Sequence, residues 1–119
     1  MAARMREPTF WILTALASQP RHGYGVIQET ARLSEDQVHL QPGTLYAALD
    51  RLAAEGLVEV DHDETVDGRN RRYYRLTDDG ATALDAETGR LRNSADAARN
   101  QLAARRRFGL GPTAAQQAT

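Results

Sequence analysis

Apolar residues recur at helical spacing in several stretches of the chain, with short alternating runs between them. The run 8–18, PTFWILTALAS, starts at Pro8 and stops ahead of Pro20, and Phe10, Trp11, Ile12, Leu13, Ala15 and Leu16 leave it almost no polar side. A proline in the first turn and another just past the end bracket a helix. A helix that is apolar nearly all round is covered on more than one side. One face serves its own domain and the other needs a second partner, a first sign of a dimer. Residues 21–25, RHGYG, read as a turn, and GVIQETARL continues as a short helix with Tyr24, Ile27 and Ala31 on one face. The segment 34–37 is polar, and Val38, His39 and Leu40 alternate as a short strand would.

The stretch 41–57, QPGTLYAALDRLAAEGL, carries the most definite helical pattern: Leu45, Ala48, Leu49 and Leu52 make one apolar face. Pro42 suits the first turn, where its missing N–H has no intrahelical partner anyway, and Gly56 suits the left-handed position after the last turn. The outer face, Thr44, Tyr46, Ala47, Asp50 and Arg51, is short-chained near its start. After it, LVEVDH alternates with Val58 and Val60 on one side, 63–69 is charged with an Asp67-Gly68 turn, and RRYYRL returns. In the return strand Tyr74 and Leu76 share the core face, while Arg71, Tyr73 and Arg75 share the other.

Thr77 is a good N-cap, and Asp78 and Asp79 in the first turn complement the helix dipole. Helical character then runs to about Arg107. Leu84, Thr88, Leu91, Ala95, Ala98 and Leu102 alternate spacings of four and three, the seam of a coiled coil. Thr and Ala weaken that seam, and Gly89 costs about 1 kcal/mol relative to Ala. So long a helix exceeds what so small a domain can cover, which makes a second chain its expected cover. The expected organisation is a winged-helix domain over 1–77, a dimerisation helix over 78–108 and a disordered tail over 109–119. The fold class is mostly α with a small β-hairpin: a winged helix-turn-helix with a long C-terminal dimerisation helix.

Composition narrows the chemistry. The 119 residues hold no cysteine, so there is no disulfide framework and no thiolate site. Neither a bilayer-spanning apolar run nor a basic-then-apolar leader is present, and the expected location is cytoplasmic. The formal charge is −1, but all 15 basic residues are arginine, so their placement matters more than their sum. His22, His39 and His62 are widely spaced, in no metal-ligand pattern. No Gly-rich phosphate loop and no activated nucleophile is evident. Neither an enzyme nor a cofactor or metal is expected.

Several motifs then occur in order: His22-Gly23-Tyr24; Pro42-Gly43-Thr44-Leu45-Tyr46; Leu49, Arg51 and Leu52; Glu55-Gly56-Leu57-Val58; and Gly68-Arg69, Arg71-Arg72-Tyr73-Tyr74, Leu76-Thr77 and Gly80. Together they resemble the PadR-like transcriptional regulators over residues from about Phe10 to Gly80. The resemblance implies a homodimeric winged-helix repressor on a pseudo-palindromic operator. The helix 42–55 would read the DNA, the hairpin would be the wing, and the last helix would dimerise. The short C-terminal part looks like the smaller subgroup of the family, which lacks a separate effector domain.

Physical reading assigns roles beside that resemblance. Gly43 and Thr44 offer small groups and backbone N–H donors at a helix start, where a phosphate is welcome. The Thr44 and Tyr46 hydroxyls suit phosphate or a base edge, and Ala47 suits a thymine methyl. Arg51 reaches phosphate or pairs with Asp50; Tyr24 packs in the core or bonds phosphate. Arg69, Arg71 and Arg72, with Tyr73 beside them, are the wing candidates, unless Asp61, Asp63, Glu64 and Asp67 neutralise the arginines. Gln41 stands where the family pattern expects a better cap such as Ser, so it either caps weakly or frees its amide to read an adenine. Trp11, the sole tryptophan, is either interface core or a stacking surface for a small flat aromatic effector. The expected partners are double-stranded DNA and a second copy of the chain, with no membrane. The rival reading is a winged-helix module that binds protein instead.

Overall fold

A computed structural model describes residues 4–109. The expected tail lies, past Gly109, outside the described residues. The order is α1 (Glu7–Leu16), β1 (Arg21–His22), α2 (Gly23–Leu33), α3 (Pro42–Ala54), β2 (Val58–Val66), β3 (Arg69–Leu76) and α4 (Asp78–Arg107). The chain forms two compact units that divide inside α4, the first ending at Glu87 and the second starting at Thr88.

The core of the first unit gathers one face from each element: Ile12, Leu13 and Leu16 from α1, Val26 from α2, Leu45, Leu49 and Leu52 from α3, Val58 from β2 and Tyr74 from β3. Each fully buried large apolar side chain contributes about 1.5–3 kcal/mol. The leucine stripe of α3 is thus buried as its spacing predicts, and the helix ends where Gly56 takes φ +78°. Thr77 caps α4: its Oγ1 accepts from the Gly80 N–H at 3.0 Å and donates to the Gly56 carbonyl at 2.6 Å. Gly80 is buried there because nothing larger fits. A Cβ at that position would lie 2.1 Å from the Leu57 carbonyl oxygen and 2.7 Å from Leu76 Cδ1.

The sheet is three-stranded and antiparallel in the order β1-β3-β2, which gives a winged helix-turn-helix. Two expectations change here. Residues 21–25 are not a turn: Arg21 and His22 pair with Tyr74 and Tyr73, and α2 begins at once at Gly23. Val38, His39 and Leu40 form no strand; Leu40 turns into the core from irregular chain.

The buried face of α2 also lies one position earlier than expected. Gly23, Val26 and Thr30 are buried, whereas Tyr24 is 62% exposed, so Tyr24 is not a core neighbour of α3. The hairpin is longer than its alternation suggests. It closes through only two residues, Asp67 and Gly68, at φ +52° and +76°, the left-handed pair of a two-residue hairpin turn. A bulge interrupts β2: Val60 opposes Tyr74, but His62, not Asp61, opposes Tyr73. The extra residue moves His62 off the Val58–Val60 face and onto the face of Tyr73.

Candidate nucleic-acid interface

The start of α3 is exposed from Gln41 to Thr44. Gln41 takes the N-cap position with extended backbone, but its side chain makes no capping bond. Its amide is therefore spare, and the N–H groups of Gly43 and Thr44 belong to the first turn, which has no intrahelical acceptors. Ala47 is exposed one turn further on. Tyr46, half exposed, lies against Gly23: a Cβ there would come within 2.3 Å of the Tyr46 Oη. Gly23 is therefore the seat of Tyr46, and the first residue of α2 sets where the α3 tyrosine points.

Beside that seat runs a groove of about 580 Å³ lined by His22, Gly23, Tyr24, Tyr46, Asn70, Arg71, Arg72 and Tyr74. It brings together two of the expected tyrosines, Tyr24 and Tyr46, with two of the wing arginines. Arg51 is elsewhere. Its Nη2 donates to Thr9 Oγ1 at 2.8 Å and its Nη1 lies 3.5 Å from Glu55, so its partners are α1 and its own helix end rather than Asp50. It lines a separate cavity with Arg4, Arg6 and Thr9.

On the wing, the register sorts the arginines by face. Arg72 opposes Asp63 and donates to it from Nε at 3.1 Å. Arg75 is held by Glu59 at 2.5 Å and Asp61 at 3.8 Å. The acids of the hairpin thus neutralise part of the basic charge. Arg69 and Arg71 carry no ion pair among the described residues. Arg71 and Glu64 oppose each other across the ladder on the face of Tyr73, and Glu64 is the main reason that this phenol is pushed up from its ordinary value, with burial second and Arg71 opposing.

Tyr73 does more than its place in the motif suggests. His62 stacks on it at 4.3 Å with rings 11° apart, and His22 meets it edge-on at 5.2 Å. His22 also caps α2, its Nδ1 accepting from the Gly25 N–H at 3.3 Å. Burial first, and then the Arg71 charge, hold His22 below the ordinary imidazole value, against a weaker opposing pull from Glu64. Sequence reasoning left His22 and His62 as structural or solvated residues and did not single out Asn70. Only the cross-strand register, which no local pattern carries, brings them together.

With this geometry in place, comparison with known proteins is informative. The family model described as "Transcriptional regulator PadR-like family" matches residues 12–86, which span the core, the groove and the wing. The chain belongs to the PadR-like transcriptional regulator family. Transcriptional regulator Rv3488 of Mycobacterium tuberculosis is 45% identical over 73 residues, covering 61% of this chain and 64% of the relative's length. A PadR family transcription regulator from Clostridium difficile has the same fold at TM-score 0.66 and 24% identity, over 79% of this chain and 96% of that one. Bacillus subtilis PadR, solved in complex with operator DNA, matches at TM-score 0.62 and 22% identity, over 69% of this chain and 46% of that one.

The remaining expected positions lie outside the groove. Leu84, on α4, packs on the core of its own unit. In the second unit Leu91 and Leu102 are exposed by 41% and 51%, and Ala95 and Ala98 are exposed as well. Trp11 is half-buried on α1, edge-on to Phe10 at 5.2 Å, and its indole N–H donates to Glu7 at 3.4 Å. No helix among the described residues is long and apolar enough to cross a membrane.

Proposed function

We propose that this chain is a sequence-specific DNA-binding repressor that works as a homodimer on a pseudo-palindromic operator. The observation that carries the reading is the groove in which Tyr24, Tyr46, Arg71 and Arg72 converge between α2, α3 and the wing. Hydroxyls and guanidiniums at one rim suit a phosphodiester backbone, while the exposed start of α3 suits a major groove. Gln41, free of capping, reads an adenine edge; Gly43 and Thr44 bond phosphate through backbone N–H; Ala47 meets a thymine methyl. Arg69 and Arg71 are the wing cations for phosphate or minor groove. The Bacillus subtilis relative, solved with operator DNA, supports the reading at the level of fold.

Residues 1–77 are the DNA-binding part and 78–108 the dimerising helix in this reading. Leu91, Ala95, Ala98 and Leu102 form the seam, supported by the exposure of these apolar residues in the protomer. A small flat aromatic effector stacking at Trp11 would relieve repression by shifting the spacing of the paired α3 helices.

The test is selection of bound duplexes from a random pool with the purified chain, with and without aromatic ligands. A palindromic consensus supports function and symmetry together. Failure to enrich any sequence, with no salt-dependent duplex binding, would favour the rival protein-binding module. Leu91→Asp is expected to give monomers in sedimentation; an unchanged dimer would move the interface elsewhere.

A further inference from the structure

One row of rings crosses all three strands of the sheet. His22 of β1 and His62 of β2 are the residues directly opposed to Tyr73 of β3, one from each side. His62 reaches this row only because Asp61 is bulged out of the ladder, and the Asp61 carboxylate lies 2.5 Å from His62 Nδ1. At its outer end, the row meets Arg71, two positions from Tyr73 on the same face of β3. At its inner end, it continues through His22 Nδ1 to the Gly25 N–H, in the first turn of α2, where Gly23 seats Tyr46.

We propose that His22 is a positioning residue: through Tyr73 it fixes the wing relative to the start of α2, and so holds Arg71 beside Tyr46 across the groove. The inference rests on the DNA-binding reading above and adds how the two reading surfaces keep their spacing. β1 is only two residues long, too short a ladder to fix a hairpin whose arms extend well beyond it. The ring contacts supply what that ladder lacks, each edge-on or stacked pair shifting an equilibrium by about two- to tenfold. The neutral imidazole favoured by burial keeps Nδ1 an acceptor, so the same ring serves helix and wing at once.

Two substitutions separate these tasks. His22→Asn keeps a side-chain acceptor for the helix start and removes the ring. His22→Phe keeps the ring and removes the acceptor. The chain has no cysteine, so Thr65→Cys gives one thiol on the wing for a fluorophore whose anisotropy decay reports wing order without DNA. Stability is read by urea unfolding, and affinity on a duplex recovered from the random-pool selection.

At neutral pH His22→Asn should shift the unfolding equilibrium by no more than the ring contact, about two- to tenfold, with a faster-moving wing label and affinity weaker by about three- to tenfold. His22→Phe should unfold more easily while wing order stays near the parent's. Parental wing order in His22→Asn overturns the coupling, and a loosened wing with parental affinity overturns the positioning role. A parent that binds no duplex refutes the function beneath the inference. That failure is distinguishable, since wing order is measured on the free protein.

Discussion

Gly80→Ala tests how tightly the end of the wing, the turn after α3 and the start of α4 are fitted together. The added Cβ would sit 2.1 Å from the Leu57 carbonyl oxygen and 3.0 Å from its carbon, so the first turn of α4 must retreat from backbone, which cannot rotate aside. Forced overpacking of this kind costs about 1–3 kcal/mol. The retreat also stretches two bonds of the same junction, from the Thr77 N–H to Leu57 O at 3.1 Å and from Thr77 Oγ1 to Gly56 O at 2.6 Å. Each is worth about 0.5–1.5 kcal/mol. Alanine returns about 1 kcal/mol of helix preference. The net loss is about 3 kcal/mol, a large share of the roughly 5–15 kcal/mol that holds a domain together. Urea unfolding at fixed protomer concentration measures it, with Trp11 as the single-tryptophan reporter. Gly89→Ala is the control: it lies in the same helix with open space around the added carbon, and should stabilise by up to about 1 kcal/mol. If Gly80→Ala moves the midpoint in the same direction as Gly89→Ala, the close-contact account is wrong.

Other expectations follow from single contacts. Thr30 is fully buried with no partner for its hydroxyl, so Thr30→Val should raise stability by about 1–2 kcal/mol in the same urea assay. Two depressed pKa values contribute to the acid limb of stability. His22 lies below 6.5 through burial and then Arg71, and Glu29 lies below 4.5 through the Arg32 bond first, then Arg21. In both cases the unfolded chain takes up the proton first, so stability is full above the unfolded value and is lost as pH falls below it. Midpoints measured against pH should therefore drop below about 6.5 and again below about 4.5, with the first step missing in His22→Asn and the second in Glu29→Gln. In duplex binding, Arg69→Ala with Arg71→Ala should make the log affinity–log salt slope shallower by about two. Arg72→Ala should change it by less than about one, because Arg72 is already paired with Asp63. Equal effects would mean that Arg72 leaves its partner to bind phosphate.

What could be read directly from sequence shares a physical character: the signal was local. Pro42, the leucine spacing and Gly56 delimit α3 within a residue, and Thr77 with its two aspartates marks the start of α4. β1 could not be read this way, because two residues have no period and Arg21–His22 becomes a strand only through Tyr74 and Tyr73, some fifty residues on. Arg51 shows the same limit, since its close partner is Thr9 on another helix rather than the neighbouring Asp50. Tyr24 looked equally suited to core or phosphate because the first helix of a helix-turn-helix both packs on its partner and crosses the backbone, and only the packing of α2 decides that it is exposed. At the candidate site, the motif pointed to the tyrosines and arginines. Which arginines keep their charge available depends on cross-strand pairing, and that is set by register.

The bulge at Asp61 gives this wing a phase. Every side chain beyond it lies on the opposite side from where unbroken alternation would put it, so the inner and outer halves of β2 are out of step by one residue. Losing Asp61 would keep Val60 opposite Tyr74 and His62 opposite Tyr73 in an unbroken ladder with every face unchanged, whereas drawing Asp61 into the ladder opposite Tyr73 would turn the outer arm over and exchange the faces of Asp63 and Glu64. Changes at the Asp67-Gly68 end are of another kind, because there a matched pair of residues, one per arm, extends the hairpin without inverting anything. Reach at the tip can therefore change without disturbing the faces, while the bulge decides which face the outer arm of β2 presents.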